Sequence, residues 1–216
     1  IQGAPIVIKA DGLAAGKGVV VALSEDQAML ALEQIMSDGR VGEAGQTVVI
    51  EEFLEGEEAS FICICDGKTA IPFASSQDHK ARDEGDLGPN TGGMGAYSPA
   101  PVVTSEIHRA VMTKIIQPTI DGMAAEGAPF VGFLYAGLMI DSLGQARVVE
   151  YNCRFGDPEA QAIMMRLDSD FLEVCERAIS GKLEGYALSF DQKTSRGVVL
   201  AAKGYPDQYE KGLPIS

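Results

Sequence analysis

Glu150 and Asn152 stand two residues apart at the end of Ala146 to Asn152, a run whose alternation predicts a strand, so both side chains leave one face. A carboxylate and a carboxamide supply the hard oxygen donors that magnesium takes. Arg154 keeps the same parity if the strand continues, and its guanidinium can hold a carboxylate or a transferring phosphoryl group in a bidentate contact. Far upstream, Gly12-Leu13-Ala14-Ala15-Gly16-Lys17-Gly18 combines glycines, whose backbone N–H groups can close on phosphate oxygens, with a lysine for charge. It is not a P-loop. Its glycine spacing is one residue short, Gly18 stands where a Ser or Thr would hold magnesium, and the loop feeds the strand Val19-Val20-Val21 rather than a helix. A strand-loop-strand phosphate clamp is the better reading, with a plain hairpin turn as the alternative. The stretch from Ser75 to Pro101 is rich in Gly, Pro, Asn, Asp and Ser without an apolar period, and compact domains seldom leave such a length irregular without functional reason. Within it His79, between Asp78 and Lys80, reads as a positioning residue, and Lys80 is the better candidate for contact with a phosphoryl group.

The elements that must carry these residues follow from the apolar pattern. Ile6 to Ala10 and Gly18 to Leu23 are β-branched runs joined by the glycine loop. Ser24 with Gln27 predicts a capping box, and Ala28, Leu32 and Ile35 recur on one helical face before Gly39. Thr47 to Leu54 is the next strand, and Ala59 to Cys65 with Thr69 to Ala74 forms a hairpin around Asp66-Gly67. A helix follows Thr104 with Ile107, Val111 and Ile115 inward, Pro118 must kink or end it, and Gly127 closes the region. Phe133 to Asp141 pairs antiparallel with Ala146 to Asn152, Asp157-Pro158 caps a short helix, a last helix runs from about Ser169 to Ser180, and Arg196 to Ala202 is a strand. The domain expectation is a small lobe over 1–57, a larger lobe with the metal and substrate site over 58–190, and the start of an incomplete further domain over 191–216. A first residue that is Ile, set in the approach to a strand, suggests a piece of a longer protein.

The composition restricts the partners. A formal net charge of −14 over 216 residues argues against nucleic acid or an anionic membrane, both of which need a basic footprint. The longest apolar run, Phe130 to Ile140, is far shorter than a membrane span and is broken by Gly132 and Gly137, and no signal peptide opens the chain. Cys63, Cys65, Cys153 and Cys175 lack CxxC spacing and read as free thiols of a reducing cytoplasm. Oligomeric state is not legible.

Val7-Ile8-Lys9 before the glycine loop, and Ile50-Glu51-Glu52-Phe53-Leu54 before Gly56-Glu57-Glu58, resemble the nucleotide cleft of the ATP-grasp family. That resemblance implies an α+β fold of two lobes with mainly antiparallel sheets clasping ATP between them. It sends Lys9 to the α-phosphate or adenine N7, and places Gly12, Gly16, Lys17 and Gly18 on a flap over the β- and γ-phosphates. Glu51, Glu52, Phe53 and Leu54 would line the adenine edge, and Glu58 would accept the ribose hydroxyls. Glu150 and Asn152 match the family's acid and asparagine that bridge magnesium, or manganese in its place, to the phosphates. Many members carry a further acidic ligand on the preceding strand, where this chain has Gly137, and neither Asp141 nor Asp157 is selected as its replacement. Ser76-Gln77-Asp78-His79-Lys80, the string from Gly88 to Pro99, and Asn152-Cys153-Arg154-Phe155-Gly156-Asp157-Pro158-Glu159 resemble the glycinamide ribonucleotide synthetases within that family. This narrower resemblance implies glycine and 5-phosphoribosylamine as substrates. Lys80 and Arg154 would be catalytic, and Asp78, Asn90, Thr91, Gly92, Gly93, Met94 and Asp157 substrate-binding. A different ATP-grasp carboxylate-amine ligase, or a nucleotide-binding fragment inactive without its flanking domains, are the rival readings.

Overall fold

A computed structural model describes residues 3–12, 14, 18–37, 41–85 and 87–214. The chain divides into two compact units, Ile1–Glu55 and Gly56–Ser216.

In the first unit β1 (Ile6–Ala10) lies between β2 (Val19–Ala22) and β3 (Val48–Glu52), antiparallel to both. Helix α1 (Glu25–Met36) buries Ala28, Ala31 and Ile35 with Ile8 and Ala22 of the sheet. Its start is the expected capping box: the Ser24 hydroxyl accepts the Gln27 N–H at 3.3 Å, and Gln27 Oε1 accepts a backbone N–H at 2.9 Å. That second donor is Leu23 rather than Ser24. Gly39, expected to end the helix, lies outside the described residues.

The second unit is organised by a four-stranded antiparallel sheet, in order β11 (Ala146–Asn152), β10 (Val131–Ile140), β4 (Glu57–Asp66) and β5 (Ala70–Pro72). One face packs Phe61, Cys63, Leu134, Ala136 and Leu138 against Ile107, Val111, Ile116 and Ile120. Those four lie on one continuous helical segment, α2 (Ser105–Val111), a π-helical turn (Met112–Ile116) and α3 (Gln117–Ala125). The expected inward positions 107, 111 and 115 all pack on this core, with Ile107 and Val111 buried and Ile115 half-buried, and Ile116 joins them fully buried because the wider π turn inserts one residue into the helical period. Pro118 does not end the helix; it sits in the first turn of α3, where its missing N–H costs least. On the opposite face Ile62, Ile64 and Tyr135 pack against α4 (Glu159–Met164) and α5 (Phe171–Ile179) through Ile163 and Val174. Asp170 caps α5 through its carboxylate, and within the expected Asp157-Pro158 cap the N-cap of α4 is Pro158, with no side-chain bond.

The polar stretch from Ser75 to Pro101 is not irregular. It contains β6 (Gln77–Asp78), β7 (Ala81–Asp83), β8 (Leu87–Asn90) and β9 (Gly95–Ser98). β7 pairs with β8, and β9 pairs with β6 on one side and with β12 (Ser195–Val198) on the other. The strand expected over Arg196 to Ala202 covers Ser195–Val198 and adds to the sheet of β9 and β6. Backbone pairing satisfies these groups where side chains supply no apolar period.

Candidate active site

In the first unit the glycine loop is held tightly at both ends. Gly12 donates its N–H to Ala44 O at 3.2 Å, and a Cβ there would stand 2.6 Å from Ala44 Cα. Gly18 O accepts from Ala10 N at 2.7 Å, and its Cβ would stand 2.6 Å from that of Ala14. Gly16 and Lys17 lie outside the described residues. Lys9 reaches Glu51 Oε2 at 2.6 Å, a diagonal cross-strand pair in the register Val7↔Glu51 and Lys9↔Val49. Glu51, expected at the adenine edge, engages Lys9 through its carboxylate. Glu52 is exposed at the end of β3, and Phe53 and Leu54 follow half-buried.

In the second unit the strand register gathers the chemistry. Ser60↔Gly137↔Glu150 and Ile62↔Tyr135↔Asn152 are lateral rows, with Glu58 opposite Met139, so Glu58, Ser60, Tyr135, Gly137, Glu150 and Asn152 share one face. A bulge between Gly137 and Leu138 in the β10–β11 register sets where Glu150 falls. Asn152 Nδ2 donates to Glu150 Oε1 at 3.1 Å. The glycine at 137 has a local cause: a Cβ there would meet Glu150 Cγ at 3.3 Å and the Tyr135 ring at 3.4 Å. Among the described residues no group of three or more His, Cys, Asp or Glu could hold a metal ion. The carboxylate and carboxamide fit magnesium that keeps its waters and binds through phosphates plus one or two protein oxygens, better than an ion caged by protein alone.

Lys80 projects towards this face. Its Nζ lies 3.0 Å from Glu58 Oε2, which ties up one oxygen of the carboxylate expected to receive ribose. Burial alone would lower the Lys80 pKa, but Glu58, with Glu150 and Asp78 behind it, raises it above its ordinary value. Lys80 is thus a fixed cation. The glycine-rich string holds it in place: Thr91 donates both its N–H (2.8 Å) and its hydroxyl (2.9 Å) to Lys80 O, and Met94 N–H donates to His79 O at 2.7 Å. Gly93 N–H donates to Thr91 Oγ1 at 3.0 Å. At φ +123°, Gly93 brings its backbone so close that a Cβ would stand 2.4 Å from Pro158 Cδ and 2.7 Å from Asp78 Oδ1. That single contact joins all three motifs, 76–80, 88–99 and 152–159. Asp78 feels burial first and then Glu159, against the pull of Lys80, and its carboxyl is pushed up to about 7. Its Oδ1 is buried with no hydrogen-bond partner.

Arg154 is exposed, donates to Phe155 O at 2.9 Å, and sits with its guanidinium carbon 5.8 Å from the Tyr135 ring centroid. Asn90, Gly92 and Asp157 are exposed and Met94 half-buried; the Gly92 N–H lies 3.4 Å from the Tyr205 hydroxyl. His79 is exposed and tilts against Tyr97 at 5.4 Å between centroids. The sequence reading missed Ser60, Tyr135 and Glu159 as polar partners. Ser60 Oγ donates to Glu159 Oε1 at 2.7 Å and lies 3.0 Å from the Tyr135 hydroxyl. Glu159 was legible only as the last residue of its motif, because separations of 75 and 99 residues leave no local signal.

Residues 2–160 match the family described as phosphoribosylglycinamide synthetase, ATP-grasp (A) domain. A phosphoribosylamine–glycine ligase of Vibrio cholerae is 60% identical over 215 residues, which is 100% of this chain and 50% of that protein. The chain spans about half the length of the curated relatives it matches. The crystal structure of a phosphoribosylamine–glycine ligase from Thermotoga maritima superposes with a TM-score of 0.87 at 35% identity, covering 96% of this chain and 52% of that one. An L-amino acid ligase from Bacillus licheniformis shares the fold, with a TM-score of 0.63 at 17% identity over 94% of this chain and 46% of its own. The expected α+β ATP-grasp fold is thereby established, and the chain belongs to the phosphoribosylglycinamide synthetase ATP-grasp (A) domain family.

Proposed function

We propose that the protein to which this chain belongs ligates glycine to 5-phosphoribosylamine at the expense of ATP, giving glycinamide ribonucleotide, ADP and phosphate for purine synthesis. The observation that carries this reading is the convergence of three separate motifs on Lys80, a cation held among Glu58, Asp78 and Glu150. Relatives named for this reaction match the chain along its whole length. A carboxylate oxygen is too poor a leaving group for direct amide formation at neutral pH, so it must first be phosphorylated. The carboxylate of glycine attacks the γ-phosphorus in line, the bond to the bridging oxygen breaks, and ADP departs with that electron pair. Lys80 offsets the charge on the transferring group. The amine nitrogen of phosphoribosylamine then attacks the acyl carbon of glycyl phosphate, phosphate leaves, and the nitrogen loses a proton.

Asp78 receives the ammonium group of glycine and Arg154 holds its carboxylate or the phosphoryl group. The string from Asn90 to Met94, with Asp157, shields the acyl phosphate from water. Lys9, Gly12, Gly16, Lys17 and Gly18 hold the nucleotide phosphates, Glu51 to Leu54 its base, and Glu58 its ribose through the oxygen not engaged by Lys80. Magnesium, or manganese, when bound at Glu150 and Asn152 would neutralise phosphate charge. The net charge of −14 fits small-molecule substrates rather than nucleic acid. No helix among the described residues is long and apolar enough to cross a membrane, and we place the protein in the cytoplasm.

In the full-length protein, glycine is expected to be the amino acid that stimulates ADP release in the presence of phosphoribosylamine. Stimulation by another amino acid instead would identify a different ATP-grasp ligase. A second reading, that the isolated chain binds nucleotide without turnover, is favoured by its covering half of its relatives. Calorimetric titration of the chain with magnesium and a nonhydrolysable ATP analogue is expected to detect binding weakened roughly tenfold or more by Lys9→Ala and by Glu150→Ala. Unchanged binding in both variants would remove those residues from the nucleotide site.

A further inference from the structure

Glu159 opens α4 at 2% exposure, a burial that acids seldom reach unless paired. Its neighbours here are neutral: Ser60 Oγ donates to Oε1 at 2.7 Å and lies 3.0 Å from the Tyr135 hydroxyl, whose pKa burial and then the nearby Glu159 carboxylate raise. Two hydroxyls are a modest return for burying a charge, and a glutamine of the same shape would accept the same bonds without the desolvation cost. A residue kept for packing alone gains nothing from being an acid, so the carboxyl group itself calls for a role.

Two groups of the amino-acid subsite lie within reach of that charge. Tyr135, whose hydroxyl is linked to Glu159 through Ser60, presents its ring to the Arg154 guanidinium. Asp78 faces Glu159 with a buried oxygen that has no donor. The groups acting on Asp78 from the surrounding elements are Glu159 of α4, Lys80 and the His79 N–H beside it, and Glu58 of β4, while Gly93 of the glycine-rich string closes over Oδ1. Lys80 is already engaged with Glu58, so the carboxylates of Asp78 and Glu159 remain without a dedicated cation. Such a pair, left short of positive charge, is suited to an incoming primary ammonium group.

We infer that Glu159 is a positioning residue of the amino-acid subsite, acting through Tyr135 on Arg154 and through its fixed buried charge on Asp78. The kinetic part of this inference rests on the assignment of Asp78 and Arg154 to glycine; the electrostatic part does not. Glu159→Gln keeps the shape and the acceptor for Ser60 and removes only the charge. In the full-length protein, the carboxyl carbon of Asp78 can be followed by NMR with labelled aspartate, its signal assigned by its loss in Asp78→Asn.

In Glu159→Gln the Asp78 titration is expected to move towards acid by about one pH unit, since a like charge has gone. Above about pH 7, where Asp78 is ionised in both proteins and only the second carboxylate of the pair has been lost, the KM for glycine rises roughly tenfold while the KM for ATP stays within about twofold, a split that general loss of structure would not produce. Ser60→Ala, which removes the hydroxyl that donates to Glu159, shifts the Asp78 titration the same way by less and covers the case in which Glu159→Gln fails to fold. An Asp78 titration that stays in place in the folded variants overturns the inference. A titration that moves while glycine kinetics do not supports the charge coupling and overturns instead the assignment of Asp78 to glycine.

Discussion

Lys80→Met in the full-length protein is expected to lower kcat by about 10²–10³-fold, the usual loss when one preorganised charge or donor is removed from a transition state. Methionine keeps the length and most of the apolar stem, so the change is close to a deletion of charge. The stability cost is expected to be small by comparison. The lysine and Glu58 side chains are 34% and 48% exposed, and a pair of that kind contributes roughly 0.2–1 kcal/mol. The catalytic loss corresponds to about 3–4 kcal/mol of transition-state stabilisation, so the two effects separate cleanly. Steady-state kinetics with saturating ATP and glycine, beside a thermal melt, check both halves. A kcat within threefold of the starting protein would remove Lys80 from the phosphoryl-transfer step.

Asp78→Asn is expected to weaken glycine and strengthen the fold, and the second effect has a defined pH dependence. Burial and Glu159 push the Asp78 carboxyl from 3.8 up to about 7. Below about pH 4 the acid is protonated in both folded and unfolded chains, and Asn and Asp behave alike. Between about 4 and about 7 the folded chain keeps a proton that the unfolded chain has released, so stability of the starting protein falls as pH rises. Above about 7 the penalty is complete and constant. The melting-temperature advantage of Asp78→Asn therefore grows from pH 4 to pH 7 and then levels off. Above about pH 7, where Asp78 of the folded starting protein is ionised, the KM for glycine in the full-length protein rises about 10–100-fold in the variant, the worth of one hydrogen bond to a charged group. A variant that is less stable than the starting protein at pH 8 would contradict the burial argument, and an unchanged KM would contradict the contact with glycine.

Opposite signs at one residue are what a binding site imposes: an acid is held in surroundings that disfavour its charge until a cationic ligand arrives. Gly93 and Asp78 are legible in the sequence as parts of separate motifs, but neither motif indicates that the glycine backbone closes over the acid. The same limit explains the misplaced elements. The stretch from Ser75 to Pro101 lacks an apolar period because backbone pairing with a segment a hundred residues later, not side-chain burial, makes β9 a strand. Ile116 is buried beside Ile115 because a π turn is a choice made by packing on the sheet, and no local propensity marks it.

By itself the sequence determined the chemical alphabet of the site and most of its scaffold. Alternation placed Glu150 and Asn152 on one side of a strand, the capping box began α1, and the glycine loop was tied to two strands, because these are properties of neighbours along the chain. Only the tertiary structure decided which acids face one another. The bulge at Gly137/Leu138 fixes the row Ser60, Gly137, Glu150, and the fold sets Glu159 against Ser60 and Tyr135 and leaves Asp78 Oδ1 without a donor. Charge state in a protein interior is a sum over everything nearby in space, and that sum is taken after the chain has folded.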